Sequence, residues 1–188
     1  STGSVGAVTI NMPRIAFRST TEEEFYRRLD KMMDIAARSL KIKRTIITKL
    51  LDEGLYPYTK HYLGTFNNHF STIGLIGMRA ACLNASWIGK DLTRESAQQF
   101  TKDVLNHMRE RLSDYQELYG DLYNLEATPA ESTTYRLAKH DVARYPSIIT
   151  AAKTEDETPY YTNSSHLPVG FTHDVFDALD IQDGPQTL

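Results

Sequence analysis

A strand is predicted by Ala7-Val8-Thr9-Ile10-Asn11-Met12-Pro13, because a short β-branched run that ends at Pro is typical of a strand whose last residues enter a loop. The residues that follow predict a long amphipathic helix, which opens with a capping box of Thr20 and Glu23 and runs to about Glu53. Gly54 is the stop signal of this helix. A strand that leads into a long helix is the repeating unit of α/β proteins.

The same alternation continues along the rest of the chain. After an aromatic and polar loop from residue 55, a strand is predicted where the chain enters Phe70-Ser71-Thr72-Ile73-Gly74. Further helices are predicted at residues 75–89, from a Thr93 cap to Gly120, at Ser132–His140 and as a turn at Val175–Leu179. The pattern predicts an α/β fold with a mostly parallel sheet or barrel, in which ligands bind in the loops that follow the strands.

The composition excludes several classes of protein. The 188 residues carry 24 acidic and 21 basic side chains, so the net charge of −3 offers no basic excess for nucleic-acid binding. No apolar run is long enough to span a membrane. The single cysteine, Cys82, excludes a disulfide framework and a Cys-based zinc site within this chain, and it favours a reducing compartment such as the cytoplasm.

Two features of the composition concern the extent of the chain. The apolar share of 40% is slightly below the usual value, which fits a piece of a larger protein or an oligomer. The chain starts at Ser1 with no signal-like segment, so we expect that it was processed or cut from something longer.

Asn11 is the first candidate site residue, because it stands at the predicted end of a strand, just before Pro13. Its amide can donate and accept hydrogen bonds, so it could contact a substrate hydroxyl. The competing interpretation is a turn-forming Asn, which is the commoner role of this residue type.

A second candidate is the segment Ala127-Thr128-Pro129-Ala130-Glu131, which leads into a predicted helix. Hydroxyls and free N–H groups at a helix N-terminus can hold a phosphate. Thr128 before Pro129 is equally typical of a plain N-cap, and the Glu131 carboxylate would oppose a phosphate unless it points elsewhere. Both interpretations stay open.

A third candidate is Tyr160-Tyr161-Thr162-Asn163-Ser164-Ser165, in which four small hydrogen-bonding side chains follow a predicted short strand. A turn needs fewer such side chains, although a polar loop is the commoner explanation of such a run. The six histidines show no metal-ligand spacing, so no metal site is predicted in this chain.

Five blocks of the sequence, in this order and spacing, resemble the anaerobic (class III, glycyl-radical) ribonucleoside-triphosphate reductases. The blocks are Ser1-Thr2-Gly3-Ser4-Val5-Gly6 with Val8 to Ile15, Gly54-Leu55-Tyr56-Pro57-Tyr58-Thr59-Lys60, Phe70 to Gly74, Asn124 to Glu131, and Tyr160 to Ser165. The resemblance covers essentially the whole chain and places it in the central segment of the large catalytic subunit.

The resemblance implies a ten-stranded α/β barrel, of which residues 1–188 would form a part. In this family a thiyl radical on a finger-loop cysteine abstracts the ribose 3′ hydrogen of a ribonucleoside triphosphate, and the product is a deoxyribonucleoside triphosphate. The radical is stored on a glycine beside a four-cysteine zinc site, and a radical S-adenosylmethionine activase installs it. Formate or a thiol system supplies electrons, ATP or deoxynucleoside triphosphates act as effectors, and the enzyme is expected to be a homodimer in the cytoplasm.

The resemblance also implies roles for individual residues. Asn11 matches the Asn that faces the ribose in the family's T-x-N-x-P block. The substrate-binding side chains would come from two loops, with Thr128, Ala130 and Glu131 in the A-T-P-A-E turn and Thr162, Asn163, Ser164 and Ser165 in the T-N-S-S loop. The finger-loop cysteine would precede Ser1, and the radical glycine and zinc cysteines would follow Leu188, so no cofactor is expected to bind this segment.

Two other interpretations remain open. The chain could be a catalytically inactive split or truncated α/β module that acts as a binding or assembly partner, and Arg79-Ala80-Ala81, where the family often has an acidic residue, favours such divergence. A related barrel of the pyruvate formate-lyase type shares the radical chemistry, but the A-T-P-A-E and T-N-S-S blocks argue against it. Unpaired strands at the open ends of a partial barrel would favour self-association.

Overall fold

The computed structural model describes residues 2–127, 130–154 and 156–167, together with Phe176 and Leu179. The helical turn predicted at 175–179 therefore lies outside the described residues, apart from Phe176 and Leu179, which are helical. The elements in chain order are β1 (Ser4–Asn11), α1 (Met12–Phe17), α2 (Glu22–Asp52), α3 (Pro57–Leu63), β2 (Phe70–Ile76), α4 (Met78–Asn84), α5 (Glu95–Tyr119), β3 (Tyr123–Glu126) and α6 (Glu131–Arg144).

The three strands form one parallel sheet in the order β1-β2-β3. β1 pairs with β2 from Ser4 opposite Phe70 to Asn11 opposite Ile76, with an irregularity near Gly6. β2 pairs with β3 through Ser71–Gly74. The predicted α/β class with parallel strands is confirmed. The described chain forms an open sheet whose outer strands are β1 and β3.

The core lies between the sheet and the long helices α2 and α5. The buried faces of these helices repeat every three or four residues, as the sequence pattern predicts. The buried apolar residues include Phe25, Leu29, Met33, Ala36 and Leu40 on α2, Phe100, Val104, Met108 and Leu112 on α5, and Ile10, Ile73 and Leu75 on the sheet. Burial of each large side chain contributes about 1.5–3 kcal/mol.

The helix starts differ from the predicted caps. In α2 the hydroxyl of Thr21 accepts a hydrogen bond from the Glu24 backbone N–H, and the Glu24 carboxylate accepts one from the Thr20 N–H. The predicted box of Thr20 and Glu23 is therefore wrong by one residue. The predicted Thr93 cap is also wrong, because α5 follows Arg94 without a capping side chain.

Three predicted segments have other boundaries in the structure. β1 leads directly into α1 rather than into a loop, because Pro13 fits the first turn of a helix, where its missing N–H is not needed. α3 occupies part of the predicted loop after residue 55. The helix predicted at 75–89 is shortened to α4 because β2 continues to Ile76 and Gly77 takes a φ of +69°.

Gly77 is a position that no other residue can easily fill. Its φ lies in the left-handed region, and an added Cβ would lie 2.5 Å from Pro13 Cγ and 3.2 Å from Tyr161 Cβ. The close approach lets the end of β2 pack between α1 and the segment that precedes Thr162. Gly77 therefore fixes how the carboxyl edge of the sheet is assembled.

Candidate functional site

A cleft of about 330 Å³ lies at the carboxyl edge of the sheet, between the start of α6 and residues 160–167. We call it the α6 cleft. Its lining residues are Glu131, Thr134, Tyr160, Tyr161, Thr162, Asn163, His166 and Leu167. Three of the predicted site residues, from two segments distant in sequence, thus line one cleft.

The T-N-S-S loop is held against the end of β2 by backbone contacts. Asn163 forms an isolated antiparallel bridge with Ile76, beyond the point where β3 ends. The N–H of Gly77 donates to the Thr162 carbonyl at 2.7 Å, and the N–H of Met78 donates to the Ser164 carbonyl at 2.9 Å. The short strand predicted before this loop is wrong, because the described residues 160–165 form a single isolated bridge and no strand.

Asn163 joins the two predicted loops directly. Its side-chain Oδ1 accepts a hydrogen bond from the backbone N–H of Ala130 at 3.3 Å. Ala130 is the residue before α6, and its carbonyl accepts the first helical hydrogen bond, from the Thr134 N–H. Thr128 lies outside the described residues.

The cleft holds polar groups that the described chain does not satisfy. The Thr162 side chain is 6% exposed, and its hydroxyl has no hydrogen-bond partner among the described residues. The residue before α6 is Ala130, whose side chain cannot accept a hydrogen bond. The first backbone N–H groups of α6 therefore have no capping side chain at that position. A buried hydroxyl beside an uncapped helix start suits a ligand with anionic or carbonyl oxygens.

The three further candidates of the two loops differ in their exposure. Glu131 is exposed in the first turn of α6, where the helix dipole favours a carboxylate. Ser164 and Ser165 are buried and are not among the lining residues of the cleft. Ser164 has a φ of +43°, which is unusual for a residue with a side chain.

Asn11 does not line the α6 cleft. It ends β1, and its Oδ1 accepts a hydrogen bond from the Arg14 N–H at 3.2 Å, so it caps α1 as a local turn residue would. It lines a second cleft of about 560 Å³ that runs along β1 and α2. Its Nδ2 donates to the Asp141 carboxylate at 2.8 Å.

Asp141 links Asn11 to the other candidates and was missed by the sequence analysis. Its side chain is fully buried, forms an ion pair with Arg14 and accepts a hydrogen bond at 2.8 Å from the Tyr161 hydroxyl, next to Thr162. Burial and the neighbouring carboxylate both raise the pKa of Tyr161, so this phenol stays protonated.

Cys82 lies in the core and takes no part in either cleft. Its thiol is within 3.8 Å of the Ala97 carbonyl and 3.5 Å of the Thr101 hydroxyl. Burial raises the pKa of Cys82 to about 11, so little thiolate exists at neutral pH. Among the residues that the structure describes, no three potential metal ligands cluster, and no helix is long and apolar enough to cross a membrane.

Comparison with known proteins assigns the family. The family model described as anaerobic ribonucleoside-triphosphate reductase matches residues 1–188. The reductase of that name from Haemophilus influenzae is 29% identical over 194 residues, covering 95% of this chain, and that of Enterobacteria phage T4 is 29% identical over 185 residues, covering 88%. A crystal structure of the anaerobic ribonucleotide reductase from Thermotoga maritima, with glycerol in its active site, has a TM-score of 0.80 and 25% identity over 97% of this chain.

The relatives are much longer than this chain. The match covers 27% of the Haemophilus influenzae protein, 28% of the phage protein and 30% of the Thermotoga maritima chain. These three relatives are all anaerobic ribonucleotide reductases, and the family model extends over the whole of residues 1–188. The chain belongs to the anaerobic ribonucleoside-triphosphate reductase family.

Proposed function

We propose that this chain is part of the catalytic barrel of an anaerobic ribonucleoside-triphosphate reductase. The longer polypeptide would reduce ribonucleoside triphosphates to deoxyribonucleoside triphosphates by glycyl and thiyl radical chemistry, and this segment would contribute the loops that hold ribose and phosphate. The observation that carries the proposal is the hydrogen bond from Ala130 N–H to Asn163 Oδ1, which brings the A-T-P-A-E turn and the T-N-S-S loop into one cleft.

The chemistry of the α6 cleft supports a phosphate ligand. The Thr162 hydroxyl and the backbone N–H groups of the first turn of α6, which Ala130 does not cap, can donate to phosphate oxygens, and the positive end of the helix dipole favours the charge. The Glu131 carboxylate would repel a phosphate placed against it. The phosphate is therefore proposed to bind on the side of Thr162 and Asn163, with Ser164 and Ser165 shaping the loop beneath.

The exposed edge of β1 supports the proposal of a larger barrel. The groove of about 560 Å³ between β1 and α2 leaves Met32 and Ile35 of α2 exposed. Further strands of the longer polypeptide would pair with β1 and cover these side chains. The homodimer remains a proposal for the whole enzyme, as does its place in the cytoplasm.

The residues of this chain do not fit the radical and zinc groups of the proposed enzyme. Cys82 is a single buried thiol, and the described part of the chain holds no cluster of metal ligands. The thiyl cysteine, the glycyl radical, the zinc site, the effector site and the contacts with the activase are therefore proposed to lie in other segments of the polypeptide. This chain binds and orients the substrate.

The proposal is tested with Thr162→Val in the longer reductase polypeptide. We expect the KM for ribonucleoside triphosphate to rise about 10- to 100-fold, because a hydrogen bond to a charged group contributes about 1.5–3 kcal/mol. The matched control is Thr45→Val, which removes an exposed hydroxyl on α2 that bonds only to the Lys41 carbonyl. An unchanged KM in Thr162→Val would contradict the phosphate site. Turnover by the 188-residue chain alone would contradict the assignment of radical chemistry to other segments.

A further inference from the structure

Asp141 is a buried carboxylate whose two oxygens are both fully used. Oδ1 accepts from the Arg14 Nε and forms the ion pair with the Arg14 guanidinium. Oδ2 accepts from Asn11 Nδ2 and from the Tyr161 hydroxyl, each at 2.8 Å. A buried anion is costly unless it is paired and hydrogen-bonded, and here both conditions are met within the chain.

The partners of Asp141 come from segments far apart in the sequence. Asn11 and Arg14 lie 130 and 127 residues before it, at the end of β1 and in α1. Tyr161 lies 20 residues after it and directly precedes Thr162. Asp141 itself is on α6, whose first turn borders the α6 cleft. One carboxylate therefore joins the end of β1 to the residue that precedes the T-N-S-S loop.

The network also defines the orientation of the Asn11 amide. The carboxylate of Asp141 only accepts hydrogen bonds, so it requires the NH2 end of the amide. The backbone N–H of Arg14 only donates, so it requires the Oδ1 end. A flip of the amide would break both bonds. Within the part of the chain that the structure describes, one N–H and one oxygen lone pair of the Asn11 amide remain available to a ligand.

We propose that Asp141 is a positioning residue that orients the Asn11 amide for substrate and couples it to the T-N-S-S loop through Tyr161. The inference rests on the proposed function, together with the ribose contact that the family resemblance implies for Asn11. Asp141 itself touches no reacting atom, and its effect passes through the side chains it holds.

The test is a double-mutant cycle in the longer reductase polypeptide with its activase and reductant. The variants are Asn11→Ala, Asp141→Asn and both together, and kcat and the KM for ribonucleoside triphosphate are measured for each. In Asp141→Asn one carboxylate oxygen becomes an NH2 group. This new donor faces either the Asn11 NH2 group or the Arg14 guanidinium, which are donors too. We expect kcat to fall about 10- to 100-fold, because small misplacements of a contacting group have effects of that size. The KM should change less than about threefold, since the backbone hydrogen bonds of Gly77 and Met78 hold the T-N-S-S loop without Asp141.

The coupling distinguishes positioning from a general structural role. If Asp141 acts through Asn11, then Asp141→Asn changes kcat less than about twofold in the Asn11→Ala background. Effects that multiply would overturn the inference. The matched control is Asp121→Asn, which alters the carboxylate that pairs with Lys41 at the opposite edge of the sheet and should leave kcat unchanged. Loss of kcat in the control equal to that in Asp141→Asn would also overturn it.

A milder variant covers the case in which Asp141→Asn does not fold. Tyr161→Phe removes one hydrogen bond from Oδ2 and leaves the ion pair with Arg14 intact. We expect a smaller loss of kcat that again disappears in the Asn11→Ala background, and a loss that persists there would overturn the inference. Absence of turnover in the wild-type polypeptide would contradict the proposed function instead, and full kcat in Asn11→Ala would contradict the ribose contact.

Discussion

The two edges of the sheet each contain a buried charged side chain, and they use it differently. At the amino edge, Arg44 of α2 donates to the backbone carbonyls of Phe66 and His69 and to the Ser71 hydroxyl. Its Nε lies 3.8 Å from the Asp121 carboxylate. Most of these contacts fix the backbone where β2 begins.

At the carboxyl edge, Asp141 is the buried charge, and its partners are the side chains of Asn11, Arg14 and Tyr161. This edge also borders the α6 cleft, where the Thr162 hydroxyl has no partner among the described residues. The comparison teaches that a buried charge directed at backbone groups stabilises the fold, whereas one directed at side chains beside a cleft sets their orientation.

The largest expected effect is on stability at the amino edge. Arg44→Met should lower the free energy of unfolding by about 2–4 kcal/mol, because it removes the buried donor of three hydrogen bonds at the start of β2. Urea unfolding of the 188-residue chain, followed by the fluorescence of Trp87, measures the change. The control is Arg28→Met, whose surface pair with Glu24 contributes less than about 1 kcal/mol. A loss below about 1 kcal/mol in Arg44→Met would break the comparison.

A smaller effect separates the buried threonines Thr101 and Thr162. The Thr101 hydroxyl donates to the Ala97 carbonyl at 2.8 Å in the core, so Thr101→Val should cost about 1 kcal/mol of unfolding free energy. The Thr162 hydroxyl is buried with no partner in the described part of the chain, so Thr162→Val should cost nothing or stabilise the chain. Equal losses, in the same urea assay, would mean that Thr162 serves stability rather than binding.

The smallest expected effect on stability is that of Glu24, a surface carboxylate that belongs to neither of the two buried networks. Hydrogen bonds, first from the Thr20 backbone and then from Arg28, lower the pKa of Glu24 to about 2. Because the folded-state pKa is depressed, this contribution is fully present above pH 4.5 and is lost as the pH falls from about 4.5 towards 2. We expect the urea midpoints of wild type and Glu24→Gln to converge over that range.

Glu23→Gln is the matched control for this titration, since Glu23 is exposed in the same turn of α2. It should shift the urea midpoint less than Glu24→Gln does at pH 6. A Glu24→Gln difference that persists unchanged down to pH 2 would show that the carboxylate is not the source of the stability.

The sequence predicts the parts of the fold whose signal is local. The apolar stripes of α2 and α5 mark both helices to within a few residues, because one face of each is buried over many turns. α3 has no buried residue, so it has no stripe to detect. β2 is buried on both faces up to Ile76, and the absence of alternation hides where the strand ends.

The sequence predicts only those parts of the site that are formed by residues adjacent in the chain. The two polar loops are recognisable from their own residues, but their contact through Asn163 and Ala130 depends on the tertiary fold. Asp141 resembles a surface residue beside Lys139 and His140. Its burial could have been predicted from its helical spacing. Thr134, Ala138 and Asp141 lie four and three residues apart and form the buried face of α6.

The parallel register of the sheet has a consequence for how the chain folds. Val8 pairs with Ile73, and Ile73 pairs with Leu125, so each pairing must wait until a complete crossover has been synthesised. Pairings between residues so distant in sequence are slow to form. During translation β1 leaves the ribosome well before β2, with the backbone groups that pair with β2 still unpaired and free to meet another nascent chain. The interval between the two strands is therefore the period in which a chaperone would protect this chain from aggregation.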